Sequence, residues 1–102
     1  MKLRLTATDP DHVLTRTSGP SGWAEHTGTR TAVAGWELFE GDPESPHLGR
    51  GWFRCLDPTF PARTNTLLRL HLVTATGTER TLEARIAHVS STEPLWEFIA
   101  AR

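Results

Sequence analysis

The chain has 102 residues, which suffices for one domain, residues 1–102, with a core that buries roughly two-thirds of the surface of the unfolded chain. A net charge of −1 excludes a strong overall attraction to nucleic acid or to anionic membranes. Because Cys55 is the single cysteine, an internal disulfide and a cysteine-based zinc site are both excluded. The N-terminus has no signal-peptide pattern, and no apolar run approaches the ~20 residues that span a bilayer. We therefore expect a cytoplasmic protein that does not contact membranes.

The first half of the chain predicts strands separated by turns. Residues 2–8 alternate apolar and polar side chains and predict a first strand, and residues 12–17 predict a weaker second one. Residues 18–22, SGPSG, have the composition of a loop. Residues 30–40 form a longer apolar segment with Gly35 in its middle, and a glycine inside a strand often marks a bulge.

The second half predicts another strand and a long hairpin. Residues 41–47 are acidic, contain two prolines and predict a loop. Residues 48–56 predict a strand, and residues 57–61 predict an ordered connection. Residues 66–90 contain two alternating arms around Gly77, a pattern that indicates a β-hairpin. The apolar positions of the two arms are Leu68, Leu70 and Leu72, then Leu82, Ala84 and Ile86.

Two segments leave strand and helix as alternatives. In residues 78–89, a capping-box pattern at Thr76 and Glu79 favours a helix, although the preceding arm needs a strand partner. In residues 93–102, Pro94 suits a first helical turn, while the tail also alternates as a strand would. The fold class is therefore mainly β: a small antiparallel β-barrel or β-sandwich of about six to seven strands, with one short C-terminal helix as the alternative for the tail.

The segment around Trp52 is the sharpest candidate for a binding surface. In a strand, Arg50, Trp52 and Arg54 share one face, whereas Phe53 and Cys55 point to the other. Tryptophan is the best aromatic platform for a cation, and arginine binds phosphate or carboxylate through two nitrogens. These three residues can thus engage a charged or aromatic partner.

The four tryptophans favour a binding module over an enzyme. A barrel of this size buries about two of them, and exposed tryptophans are typical of interfaces. We predict a non-enzymatic module that binds a protein partner or associates with itself as a homo-oligomer. Its anchors are Trp52, Trp36 and Trp96, with Arg50 and Arg54 as specificity contacts.

An alternative function is binding of single-stranded nucleic acid or of a (cyclic) nucleotide by a small barrel. Arg69 and Arg85 would then join the arginines beside Trp52. The spacing of Arg50 and Arg54 fits the Arg-x-x-x-Arg motif with which PilZ-type barrels bind cyclic dinucleotides. The second motif of that family, Asp/Asn-x-Ser-x-x-Gly, has no good counterpart downstream, so the chain is not assigned to the family.

Catalytic and metal-binding patterns are weak. The histidines lack the spacing of a metal site, no serine lies in a nucleophile elbow, and no phosphate-binding glycine loop is present. His71 and Glu83 can serve as an acid–base pair only if they lie opposite each other in the hairpin. By alternation, His71 and His88 are expected on opposite sides of the sheet. We therefore expect neither an enzyme nor a bound cofactor.

Overall fold

A computed structural model describes residues 15–41 and 44–101, which form seven strands. The predicted strand at residues 2–8 and residues 12–14 lie outside this part of the chain. The strands are β1 (Thr15–Gly19), β2 (Ser21–His26), β3 (Thr29–Glu40), β4 (His47–Cys55), β5 (Leu67–Val73), β6 (Glu79–Val89) and β7 (Leu95–Ala101).

Six of the strands close into an antiparallel barrel. Around the barrel the order is β3-β2-β5-β6-β7-β4, and β4 pairs again with β3 to complete the ring. β1 precedes β2, from which only Pro20 separates it. β1 pairs with the second half of β3, and β2 pairs with the first half. The prediction of a mainly β antiparallel fold is confirmed, and the closed ring makes it a barrel.

Alternation along each strand fills the barrel interior with apolar side chains. The largest fully buried ones are Phe53, Phe98, Leu38, Leu70, Leu72 and Ile86. Burying side chains of this kind contributes about 1.5–3 kcal/mol each, which makes the interior the main source of stability. Since the interior is filled, any binding surface has to lie on the outside of the wall or at its ends.

The two ends of the barrel are closed by different means. At one end the β4–β5 connection folds over the core, where Phe60 and Ala62 are buried. The Trp96 indole Nε1 donates to the Ala62 carbonyl oxygen at 3.0 Å and ties this connection down. At the other end, Arg80 of β6 binds Glu40 of β3 through two nitrogens, at 2.6 and 2.9 Å.

The predicted hairpin is confirmed. Leu70 of β5 lies opposite Leu82 of β6, and Gly77 has a φ of 90° in the turn between the arms. Residues 79–89 form strand β6, so the first of the two segments for which strand and helix were alternatives is a strand. The register shift between Val33 and Gly35 confirms the bulge expected in β3.

The optional C-terminal helix is absent from the described residues. Residues 95–101 are extended because Trp96, Phe98 and Ala100 all face the core. β7 also pairs with β4 on one side and β6 on the other, so its backbone hydrogen bonds are made in the sheet.

The loop predicted at residues 18–22 is wrong. These residues belong to β1 and β2, and the chain bends only at Pro20. Gly22 allows close strand approach, because a Cβ there would lie 2.1 Å from the His71 carbonyl oxygen. In this segment glycine allows β2 to pair closely with β5, although the glycine- and serine-rich composition of residues 18–22 is typical of a turn.

Candidate functional site

The outer wall of β3, β4 and β7 carries the predicted Arg–Trp–Arg segment at its centre. Cross-strand pairing arranges nine outward positions in three rows, which we call the β4 face. The rows are Gly35–Arg54–Leu95, Glu37–Trp52–Glu97 and Phe39–Arg50–Ile99. As predicted, Arg50, Trp52 and Arg54 share this side, while Phe53 and Cys55 face the core.

Trp52 is held in place by a chain of polar contacts. Its indole Nε1 donates to Glu37 Oε1 at 2.9 Å. Arg16 of β1 donates from Nε to Glu37 Oε2 at 2.7 Å. The hydrogen bond from Arg16 is the main reason that the pKa of Glu37 lies below its ordinary value. Glu37 therefore stays ionised, and the indole ring has a fixed acceptor on the outer wall.

The two arginines of the face differ in how far they are engaged. Arg54 pairs with Glu93 at 2.9 Å, and its guanidinium carbon lies 6.0 Å from the centre of the Trp52 ring. Arg50 is exposed and makes no ion pair or hydrogen bond with any residue in the described ranges. Arg50 is thus available to a partner.

Glu97 is the acidic counterpart of Arg50. Its side chain is 56% exposed, and its ion-pair contact with a described residue is a 3.6 Å approach to His88. A contact of that length is too long for a good hydrogen bond. The β4 face thus contains one weakly engaged cation and one weakly engaged anion.

Apolar side chains occupy three corners of the face. Phe39, Leu95 and Ile99 are half-buried on the outer wall. Phe39 lies directly beside Arg50 on one side, and Ile99 lies beside it on the other. These side chains face away from the core, so they present apolar surface that a partner can cover.

Two of the predicted anchors belong to the core. Trp36 is 3% exposed and donates to the carbonyl oxygens of Ser21 and Val73 at 2.9 and 3.2 Å. Trp96 is 2% exposed and stacks on Phe53, with ring centres 5.7 Å apart. This corrects the prediction that placed both on an exposed surface, because their alternation directs them into the barrel.

Sequence reasoning overlooked Trp23, which lies on the outer wall of β2. Its ring lies 4.0 Å from the Arg30 guanidinium carbon and stacks on the His71 ring at a centre-to-centre distance of 5.1 Å. Trp23 thus already makes a cationic and an aromatic contact within the chain. β2 itself lacked clear alternation, and no sequence signal identified this cluster.

Of the remaining predicted arginines, Arg69 lies away from the β4 face, whereas Arg85 lies at its edge beside Ile99. β5 is three strands from β4 in either direction around the ring, so Arg69 points to the opposite side of the barrel. Arg69 pairs there with Glu83 at 2.8 Å. Arg85, on β6, donates to Asn65 Oδ1 at 3.2 Å. The sequence grouped both arginines with Arg50, but barrel closure separates Arg69 from it and leaves Arg85 on the strand next to β7.

The acid–base pair considered from the sequence is not formed. His71 lies opposite Thr81 and contacts Thr81 and Glu79 at 2.9 and 2.7 Å. Glu83 lies opposite Arg69.

The expectation that His71 and His88 point to opposite sides is also wrong. A register shift between Ile86 and His88 turns His88 outward.

Other parts of the described chain offer less. A groove of about 520 Å³ runs beside the β2–β3 turn, with its charged pair Arg69 and Glu83 joined to each other. Within residues 15–41 and 44–101, no three His, Cys, Asp or Glu side chains are grouped to hold a metal ion. The same residues contain no helix long and apolar enough to cross a membrane.

The fold and the site together define a small closed β-barrel with a mixed aromatic, charged and apolar patch on its outer wall. No known protein family, curated protein or solved structure matches the chain.

Proposed function

We propose that the protein is a non-enzymatic binding module that contacts a protein partner through the β4 face. The observation that carries this proposal is the position of Trp52. It lies on the outside of a filled barrel, is fixed by Glu37, and is surrounded by Phe39, Ile99 and the available Arg50. Tryptophan and arginine are the residues most enriched among the dominant contacts of protein interfaces.

The contacts around Trp52 also reduce the cost of binding. A free surface side chain loses conformational freedom when a partner immobilises it, at roughly 0.5–1.5 kcal/mol each. The bond to Glu37 holds the indole before any partner arrives. Arg54 approaches the same ring while paired with Glu93. The face is therefore partly organised for binding.

The size of the face favours a transient interaction. Three strands span about 10 Å across the sheet, and five residues of a strand span about 14 Å along it. The wall of a six-stranded barrel curves away on either side. An interface centred here belongs to the smaller class, below about 1,200 Å² in total, which is typical of weak complexes.

Binding of single-stranded nucleic acid or a nucleotide is the second candidate. Arg50, Trp52 and Arg54 in one column support it, since bases stack on tryptophan and arginine binds phosphate. The carboxylates of Glu37 and Glu97 on either side of Trp52 weaken it, because they repel a phosphate backbone. Quenching of tryptophan fluorescence by oligonucleotides at low salt would favour this candidate over a protein partner.

The single buried cysteine fits the cytoplasmic location that we retain in the proposal.

Site-specific photo-cross-linking in cells tests the proposed function. A benzophenone amino acid replaces Ile99, on the β4 face, in one variant. In the control it replaces Leu67, which is 70% exposed on β5, on the far side of the barrel. We expect a discrete cross-linked protein at position 99 and little at position 67. Equal cross-linking at both positions would mean that exposed apolar residues adhere without specificity, and would contradict the proposal.

A further inference from the structure

We propose that the partner of the β4 face is a second copy of this chain, packed with its strands nearly perpendicular to those of the first. This inference rests on the proposed function and adds the identity and orientation of the partner. It follows from the way charge is distributed on the β4 face around Trp52.

Positive and negative side chains form two crossing lines that share Trp52. Along β4, Arg54, Trp52 and Arg50 form a column with a spacing of about 7 Å. Across the sheet, Glu37, Trp52 and Glu97 form a row with a spacing of about 5 Å. The column is basic at both ends and the row is acidic at both ends.

A two-fold axis along one diagonal of the face brings opposite charges together. The axis lies in the face, passes through Trp52 and bisects the angle between the column and the row, so that it runs close to Ile99. Turning a second copy about this axis lays the basic column of each copy over the acidic row of the other. Arg50 then meets Glu97 of the second copy, and the reverse contact forms by symmetry.

The same operation matches the apolar corners. Trp52 lies on the axis and Ile99 lies close to it, so each meets its own copy. Phe39 meets Leu95 of the second copy. Perpendicular packing of this kind is one of the two standard ways in which β-sheets stack face to face. Every charge on the face therefore meets its opposite, and each large apolar side chain meets another.

Other two-fold axes in the face are less favourable. An axis along the strands places Arg50 on Arg50, and an axis across them places Glu97 on Glu97, so like charges meet. The second diagonal joins Arg50 to Glu37 and Arg54 to Glu97. Glu37 is already bound by Arg16 and Trp52, and Arg54 by Glu93. The first diagonal instead joins Arg50 and Glu97, the two least engaged charges.

Reversing one charge at a time gives a sharp test. In Arg50→Glu, the introduced carboxylate faces Glu97 of an identical copy. In Glu97→Arg, the introduced guanidinium faces Arg50. Sedimentation velocity at low salt should show self-association weakened at least tenfold in each variant. The control is Arg63→Glu, which reverses an exposed arginine in the β4–β5 connection and should associate as the unmodified protein does.

An equimolar mixture of the two variants is the decisive sample. In a mixed pair, Glu at position 50 of one chain meets Arg at position 97 of the other, and the remaining contact is the native Arg50 with Glu97. The mixture should therefore recover dimers that neither variant forms alone. The neutral variants Arg50→Gln and Glu97→Gln should each weaken association less than the reversals, and thermal unfolding checks that all the variants are folded.

The results separate this inference from the proposed function. A mixture that stays monomeric, or an unmodified protein that stays monomeric at millimolar concentration, overturns the second copy as partner. If position 99 nevertheless cross-links to a different protein, the proposed function stands and the self-association fails. If position 99 cross-links to nothing and the mixture stays monomeric, both proposals fail.

Discussion

The four tryptophans differ in which side of the barrel wall they occupy. Trp36 and Trp96 face inward and are almost fully buried, while Trp23 and Trp52 face outward and are half-buried. Each inward indole donates to a backbone carbonyl, which removes the cost of burying its N–H group. The outward Trp52 instead donates to a carboxylate.

Replacing one inward and one outward tryptophan should therefore have different effects on stability. We expect Trp96→Ala to lower the free energy of unfolding by about 3–5 kcal/mol, as for other large core residues cut to alanine. Trp52→Ala should cost about 1 kcal/mol, because it loses one hydrogen bond and partial packing. Urea denaturation followed by circular dichroism measures both. Equal losses would place Trp52 in the core and remove it from the proposed surface.

The sequence was informative about single residues wherever alternation was regular. In β4, alternation correctly separated Arg50 and Trp52 from Phe53. In β7, alternation places Trp96 on the same side as Phe98, and both side chains face the core. The prediction that Trp96 is exposed was wrong because it rested on the number of tryptophans in the chain and not on the side of the strand that each one occupies.

At the scale of single strands, glycine controls how closely β4 approaches β3. Gly51 faces the interior, where a Cβ would lie 2.0 Å from the Glu37 carbonyl oxygen and 2.9 Å from the Phe98 ring. Gly35, on the outer side of the β3 bulge, has open space at the corresponding position. One glycine is required by packing and the other is not.

Alanine at these two positions gives a matched pair. We expect Gly51→Ala to destabilise the fold by about 1–3 kcal/mol, since backbone atoms of β3 have to move. Gly35→Ala should be neutral or stabilising by about 0.5 kcal/mol, because alanine loses less backbone entropy in a strand. Thermal unfolding measures the pair. A tolerated Gly51→Ala would show that β3 and β4 lie farther apart than described.

Strand prediction was clearest where two regularly alternating segments flank a turn, and it failed where turn-forming residues lie inside a strand. The β5–β6 hairpin was clear because each arm supplied the partner of the other. β2 was missed because its glycine and serine residues indicate a turn when read alone. Residues 95–101 were ambiguous because neither pairing partner is evident from the local sequence. β4 is distant along the chain, and β6 is separated from β7 by a loop.

At the scale of the whole molecule, closure of the ring decides which residues can act together. The pairing of β3 with β4 and of β4 with β7 creates the β4 face, and it sends Arg69 to the opposite wall. Closure also brings together Glu40 and Arg80, which bind across one end of the barrel although 40 residues separate them. Local patterns contain no information on strand order, so these groupings could not be predicted from the sequence.

Amide chemical-shift mapping across a concentration series is the most direct test of the β4 face as the binding surface. Our account predicts that, as the protein is concentrated, shifts change in β4, β7 and the second half of β3, centred on Trp52 and Ile99. Signals from β2 and β5 should stay constant. Changes confined to β2 and β5, around Trp23 and Arg69, would contradict the account and move the binding surface to the other side of the barrel.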